Sequence, residues 1–111
     1  MSELEQALAT QIRMAGLPKP TREFRAIPSR RWRWDIAFIP NRVLVEGNGG
    51  TWVKGGHSSG RGIRRDYEKT NAAVMEGWHP FSVSGDMVRD GSALKLIQEA
   101  IHRFPIPEDE S

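Results

Sequence analysis

"RRWRWDIAFIPNRVLVEGNGGTW", residues 30–52, is the stretch that decides the fold, because it reads as two apolar strands joined by a tight turn at Pro40 and Asn41. Two acidic residues, Asp35 and Glu46, lie inside these strands. A buried carboxylate is costly unless a partner compensates its charge. The two side chains are therefore expected either to escape burial or to hold a partner.

Alternation along this hairpin predicts that the two acids share a face of the sheet. A two-residue turn pairs Ile39 with Arg42, and counting back from that pair places Asp35 directly opposite Glu46. Their Cβ atoms are then roughly 5 Å apart. The other, apolar face of the first strand is expected to carry Trp32, Trp34, Ile36 and Phe38.

Two carboxylates at this spacing repel each other unless one is protonated or a cation lies between them. The polar residues gather at the end of the hairpin far from the turn, where Arg33 faces Asn48. Carboxylate, amide and backbone carbonyl oxygens are hard ligands that suit Mg²⁺ or Mn²⁺. Two interpretations stay open on geometry: a metal site, or a lattice of ion pairs in which Arg33 and another arginine neutralise the acids.

The composition is that of a globular chain, with 111 residues, 38% hydrophobic residues, four Trp and no Cys. This length predicts one domain over residues 1–105, followed by an acidic, flexible tail over 106–111. Without Cys, disulfides and thiolate metal sites are excluded. No apolar run approaches a membrane span and no signal pattern opens the chain, so a cytoplasmic protein without membrane contact is expected.

Periodicity and turn residues predict the order helix, three strands, helix, strand, helix. Outside the hairpin, the predicted strands cover 21–28 and 78–84, and the predicted helices cover about 2–15, 63–76 and 91–104. Pro80 indicates that the last strand lies at a sheet edge or is irregular there. The Gly-rich loop over 47–62 is long, which is typical of functional loops. The order predicts an α/β fold with a mixed central sheet flanked by helices.

Arginines are unevenly distributed, although the net charge is only +2. They crowd into residues 22–33 and again into 61–65, while the C-terminal tail is acidic. Two local basic patches suit a polyanionic partner such as nucleic acid. The alternative is an ordinary solvated surface.

The pattern "RRWRWDIAF…VLVEGNGGTW…GGHSSGRG…DYEKTNAAVMEGW…SGDMVRDGSAL" resembles the small phage and bacterial nucleases of the PD-(D/E)XK superfamily, relatives of the very-short-patch repair endonuclease. The resemblance spans Leu4 to Ile101 and includes the order of helices, strands and loops. It implies a restriction-endonuclease-like core in the order α-β-β-β-α-β-α. It also implies a DNA endonuclease that depends on Mg²⁺ or Mn²⁺ and takes part in repair or recombination.

Individual residues match the family's functional positions. The resemblance implies that Asp35 and Glu46 are metal ligands. In the expected mechanism, Asn48 or the Gly47 carbonyl is a further ligand. Lys69 matches a basic residue on the second helix, and Glu5 matches an acidic residue on the first. His57 in "HSSGRG" is a further candidate for the site. The chain departs from the family pattern at Asn48, which replaces a Lys or Glu, and at Ser82, which replaces an Arg. Trp52 is expected to serve packing.

The expected mechanism brings DNA over the polar end of the hairpin, where arginines contact phosphates without reading sequence. These arginines are Arg30, Arg31, Arg33, Arg61, Arg64 and Arg65. Lys69 or His57 is expected to supply a proton or positive charge, and Asn48 can offer only a neutral carbonyl ligand.

Three hypotheses follow for the function. The first is an active endonuclease, selective for nicks, mismatches, branches or junctions. The second is a DNA-binding module of the same fold, in which Asn48 marks a weak or lost activity. In the third, Asp35 and Glu46 are structural and no DNA is bound. A homodimer is open in each case.

Overall fold

The structure, a computed structural model, describes residues 3–47 and 60–108, with only the backbone described at 60–63. Its elements are α1 (Glu3–Met14), β1 (Thr21–Phe24), β2 (Trp34–Phe38), a 3₁₀ turn (Ile39–Asn41), β3 (Val43–Gly47), α2 (Gly60–Met75), β4 (His79–Val83), α3 (Gly85–Asp90) and α4 (Ser92–Arg103). None of these helices is long and apolar enough to cross a bilayer.

The four strands form one mixed sheet in the order β1-β2-β3-β4. The pairs β1–β2 and β2–β3 are antiparallel, and β3–β4 is parallel. Because a parallel pair needs a crossover, α2 connects β3 to β4 across one face of the sheet. Pro80 lies in the edge strand β4, which confirms its predicted place. The predicted α/β class, with a mixed sheet flanked by helices, is confirmed.

The predicted register of the β2–β3 hairpin is confirmed, although its turn differs. The hairpin pairs Ile36 with Val45 and Phe38 with Val43, and one further step places Asp35 across from Glu46. Instead of a two-residue turn, the 3₁₀ turn is followed by Arg42 in the left-handed conformation (φ 61°). The fixed φ of Pro40 does not suit the turns that two-residue hairpins prefer, so four residues close the loop without shifting the pairing.

Two apolar clusters cover the two faces of the sheet. On one face, α1 and α4 pack against Ile36, Phe38, Val43 and Val45. On the other face, Ala73 of α2 and Trp78 pack against Trp34, Ala37 and Leu44. The polar end of the hairpin therefore lies between α1 on one side and α2 on the other.

The expected alternation fails at the start of β2. Trp34 belongs to the cluster under α2, and Trp32 packs against the same cluster, so neither shares a face with Ile36. The break coincides with Asp35 and with Glu23, its partner by register on β1, whose backbone is left-handed (φ 52°). A left-handed residue turns an extended chain, and the inward and outward sides exchange there.

Other boundaries also differ from the sequence-based ones. Helix α2 begins at Gly60 rather than at residue 63, and β1 is only four residues long. The short helix α3 was not predicted. Ser84 caps it by accepting a hydrogen bond from the Met87 amide. Six residues are too few for a clear periodic pattern, so a cap alone marks this helix in the sequence.

Replacement of Leu44 by Ala should test the packing of α2 on the sheet. Leu44 is fully buried in a central strand, so the truncation should lower the free energy of unfolding by about 2–5 kcal/mol. Met75→Ala, at a side chain 85% exposed on α2, should change it by less than about 0.5 kcal/mol. Urea denaturation measures both, and equal effects would contradict this arrangement.

Candidate active site

Three carboxylates from different elements meet at the polar end of the hairpin. Glu5 of α1, Glu23 of β1 and Asp35 of β2 each offer an oxygen, and these oxygens all lie within 4.8 Å of one another. Glu5 is buried, Asp35 is half-buried and Glu23 is exposed. We call these three residues the acidic cluster.

Hydrogen bonds hold two members of the acidic cluster in place. Arg22 Nη2 donates to Glu5 Oε2 at 2.6 Å, and its Nε donates to the same oxygen at 3.2 Å. The Gly47 amide at the end of β3 donates to Asp35 Oδ2 at 2.8 Å. The position of Asp35 is thus set by the hairpin register, because that register brings the Gly47 amide to it.

Lys69 forms a second group of contacts on the α2 side. Its ammonium donates to Glu46 Oε1 and, at 2.5 Å, to the carbonyl of Arg33. It also lies 4.6 Å from the centre of the Trp34 ring. Lys69 and Ala73, one turn apart, face the sheet, whereas Tyr67 points to solvent. Lys69 is therefore buried rather than solvated.

Burial raises the pKa of both hairpin carboxyls above their ordinary values. For Asp35 the main cause is desolvation, which the charges of Glu5 and Glu23 reinforce and the Gly47 amide and Lys69 oppose. For Glu46 desolvation is again the main cause, and the hydrogen bond and charge of Lys69 oppose it. A further cation beside Asp35 would favour its charged form.

The donor set of the acidic cluster fits a divalent cation such as Mg²⁺ or Mn²⁺. Carboxylate oxygens are hard ligands at about 2.0–2.6 Å from such ions, so two ligands on opposite sides lie about 4–5 Å apart. The oxygens of the acidic cluster lie within 4.8 Å of one another, so no two of them are too far apart to share one ion. Glu46 is not a member of the cluster, and its place among the ligands stays a prediction.

The structure brings together most of the residues that the sequence singled out. Glu5, Asp35, Glu46, Gly47 and Lys69 surround the polar end of the hairpin. Asn48 and His57, together with Trp52, lie outside the described residues, as does the side chain of Arg61.

The ion-pair partners that the structure describes for the acids differ from the arginines that the sequence predicted. Arg33 contributes its backbone carbonyl to Lys69, while the described ion pairs of Glu5 and Glu46 are made by Arg22 and Lys69. Glu23 was missed by sequence reasoning. Its left-handed backbone turns it toward the site, and no residue type in "TREF" signals that conformation.

Exposed arginines adjoin this site on the β1–β2 connection. Arg25 donates to the carbonyls of Pro28 and Arg30 at 3.1 and 2.9 Å, which holds the connection in shape. The Arg30 guanidinium stacks on Trp32, 3.9 Å from the ring centre. The exposed arginines predicted to contact phosphate are Arg30, Arg31 and Arg33 here, and Arg64 and Arg65 on α2.

Comparison with known proteins places the fold but no sequence family. No protein-family model matches the chain, and no curated protein is similar to it in sequence. The catalytic domain of the homing endonuclease I-Bth0305I superposes on it with a TM-score of 0.71 and 12% identity, over 94% of this chain and 98% of that domain. The two chains share a fold. The expected nuclease-like core is thereby supported, and a relationship to the PD-(D/E)XK nucleases stays a prediction.

Asp35→Asn should stabilise the metal-free protein. The neutral amide keeps an acceptor for the Gly47 amide but removes a half-buried charge beside Glu5 and Glu23. In EDTA at about pH 7.5, the free energy of unfolding should rise on the order of 1 kcal/mol. Thermal and urea unfolding measure the gain, and a loss would indicate that the carboxylate is structural.

The gain from Asp35→Asn should depend on pH. Because the folded-state pKa of Asp35 is raised, the wild-type carboxylate costs stability above that pKa, and the cost disappears as the pH falls toward the unfolded value of about 4. The difference between variant and wild type should therefore be largest near neutral pH and vanish below about pH 4. Unfolding curves across this range measure it, and a difference constant with pH would contradict the assignment.

Lys69→Met should destabilise the fold through Glu46. The substitution keeps the apolar stem over Trp34 but leaves a partly buried carboxylate without its ammonium. We expect a loss of about 1–3 kcal/mol. The double variant Lys69→Met, Glu46→Gln should recover part of the loss in a double-mutant cycle, whereas strict additivity would contradict a direct pair.

Proposed function

We propose that this chain is a divalent-metal-dependent DNA endonuclease that hydrolyses phosphodiester bonds. The observation that carries the proposal is the position of Asp35. Its half-buried carboxylate lies within 4.8 Å of the oxygens of Glu5 and Glu23, and the hydrogen bond described for it comes from a backbone amide rather than a cation. The fold shared with the catalytic domain of a homing endonuclease supports the same proposal.

The acidic cluster would hold the metal, with Asp35 as the central ligand and Glu5 and Glu23 beside it. Glu46 and the Gly47 carbonyl remain the further ligands that the sequence predicts. When bound, a divalent cation supplies positive charge and Lewis-acid chemistry beside the scissile phosphate.

Lys69 is the residue that we propose to act on the phosphate together with the acidic cluster. Its ammonium is held by Glu46 and by the Arg33 carbonyl, so its position is fixed before substrate arrives. From there it can stabilise the negative charge that develops on the phosphate oxygens.

The exposed arginines would bind the DNA backbone on both sides of the site. Arg30, Arg31 and Arg33 lie on the β1–β2 connection, and Arg64 and Arg65 lie near the start of α2. Arg61 belongs to the same predicted set. Contacts of this kind position DNA and carry no sequence information. Selectivity for nicks, mismatches, branches or junctions, a role in repair or recombination, and a homodimer are further parts of the proposal.

The second candidate is a module that binds DNA without cutting it. Asn48 favours it, because an amide can neither accept a proton as a base nor bring positive charge to the phosphate. The same arginines would serve both functions. The two candidates differ only in whether metal-dependent cleavage accompanies binding.

A cleavage assay separates the candidates. Supercoiled plasmid and branched duplexes are incubated with the protein in Mg²⁺, Mn²⁺ or EDTA, beside Asp35→Asn and Glu46→Gln. Asp86→Asn, an exposed carboxylate on α3 that pairs with Arg89, is the matched control. We expect the wild-type protein to cleave DNA only when Mg²⁺ or Mn²⁺ is present. The cleavage rate should be unchanged in the control and reduced by at least about 100-fold in Asp35→Asn.

Each outcome of that assay has a definite meaning. Binding in a gel shift without cleavage in any metal would favour the DNA-binding module. Cleavage that persists in EDTA or in Asp35→Asn would contradict the metal-dependent mechanism. Neither binding nor cleavage at low salt would contradict both candidates, and a destabilised Asp35→Asn would then favour a structural role for the acids.

A further inference from the structure

A groove of about 400 Å³ runs between α1 and the segment that leads to β1. Gly16, with φ 75°, ends α1 and lets the chain fold back beside it, which creates the groove. The polar and charged side chains that matter for its ligand are Gln6, Arg13, Lys19 and Arg22.

The charges along this groove are all positive. Arg13, Lys19 and Arg22 line it, and no Asp or Glu among residues 3–47 and 60–108 does. Arg13 and Lys19 are exposed, and neither forms an ion pair with any acid in the described part of the chain. Arg22 forms the ion pair with Glu5. A surface of this kind is complementary to a polyanion.

The groove adjoins the acidic cluster through Arg22, which lines the groove and contacts Glu5. On α1, the lining runs from Gln6 to Arg13, seven residues along the helix or about 10 Å. A DNA strand carries one phosphate per roughly 3.4 Å of duplex axis, so two or three successive phosphates fit this length. The basic β1–β2 connection lies at the same hairpin end, beyond Asp35.

We propose that this groove binds the DNA backbone that flanks the cleaved phosphate, with Arg13 and Lys19 each contacting a phosphate. The inference rests on the proposed function for its ligand and adds a surface that the sequence did not indicate. DNA then lies on two basic surfaces, the β1–β2 connection and the α1 groove, with the acidic cluster between them. Gln6 contributes an amide donor to the same backbone.

Salt dependence of DNA binding tests the groove. The double variant Arg13→Gln, Lys19→Gln removes two charges from exposed side chains, and Arg89→Gln, Lys95→Gln removes two charges from exposed positions on α3 and α4 as a matched control. Binding of a 20-bp duplex is measured by fluorescence anisotropy in EDTA, where cleavage plays no part. Thermal unfolding checks that each variant is folded.

The expected result is a change in slope. The slope of log affinity against log salt is negative, and each lost phosphate contact reduces its magnitude by about 0.9. The slope of the groove variant should therefore be about 2 less steep than that of the wild type. Between 50 and 200 mM salt, wild-type affinity should then fall about tenfold more than that of the groove variant. The control should keep the wild-type slope.

Three results would overturn the inference. An unchanged slope in the groove variant, with DNA still bound and cut in Mg²⁺, would exclude the groove and leave the proposed function standing. An equal slope change in the control would assign the effect to net charge. No binding of wild-type protein to the duplex at 50 mM salt, together with no cleavage, would overturn the groove and the proposed function alike.

Discussion

The hydrogen-bonding register between β2 and β3 is the constraint on which the rest of the site depends. It places Asp35 across from Glu46 and brings the Gly47 amide within 2.8 Å of the Asp35 carboxylate. A slip of β3 by one residue would turn Glu46 to the other face of the sheet and move the Gly47 amide away from Asp35. The apolar residues of the hairpin prevent such a slip, because they fill two different clusters under α1 and α2. Apolar packing away from the site therefore fixes the positions of the two carboxylates.

Compensation of charge at this end of the sheet is uneven. Arg22 pairs with Glu5 on the α1 side, and Lys69 pairs with Glu46 on the α2 side. Asp35 lies between these two pairs with a backbone amide as its described hydrogen-bond donor. Negative charge is thus concentrated at the position that both flanking helices reach. Such an arrangement lowers stability and is typical of a site that binds a cation, since function and stability make opposite demands on the same carboxylates.

Local pattern in the sequence was enough for the register, the edge position of Pro80 and the mixed sheet. These follow from the position of the turn, from proline chemistry and from the order of helices and strands. It was not enough for the left-handed backbone of Glu23, and therefore missed the change of face at Trp34. The pairing of Lys69 with Glu46 joins residues 23 positions apart, and no periodicity encodes such a contact. Asp35 and Glu5 were found by type and position, whereas their grouping with Glu23 required the fold.

The bend at Glu23 has a consequence for association between molecules. An edge strand offers unpaired backbone groups to other chains, and proteins protect such edges with short strands, charges, prolines and local distortion. β1 has four residues, two of them charged, and a left-handed residue in the middle, while the opposite edge, β4, contains Pro80. Both borders of the sheet are therefore poor templates for a further strand. Glu23, which contributes a carboxylate to the acidic cluster, also keeps the β1 edge from pairing with a strand of another molecule. A β-branched residue at this position would therefore favour aggregation as well as alter the site.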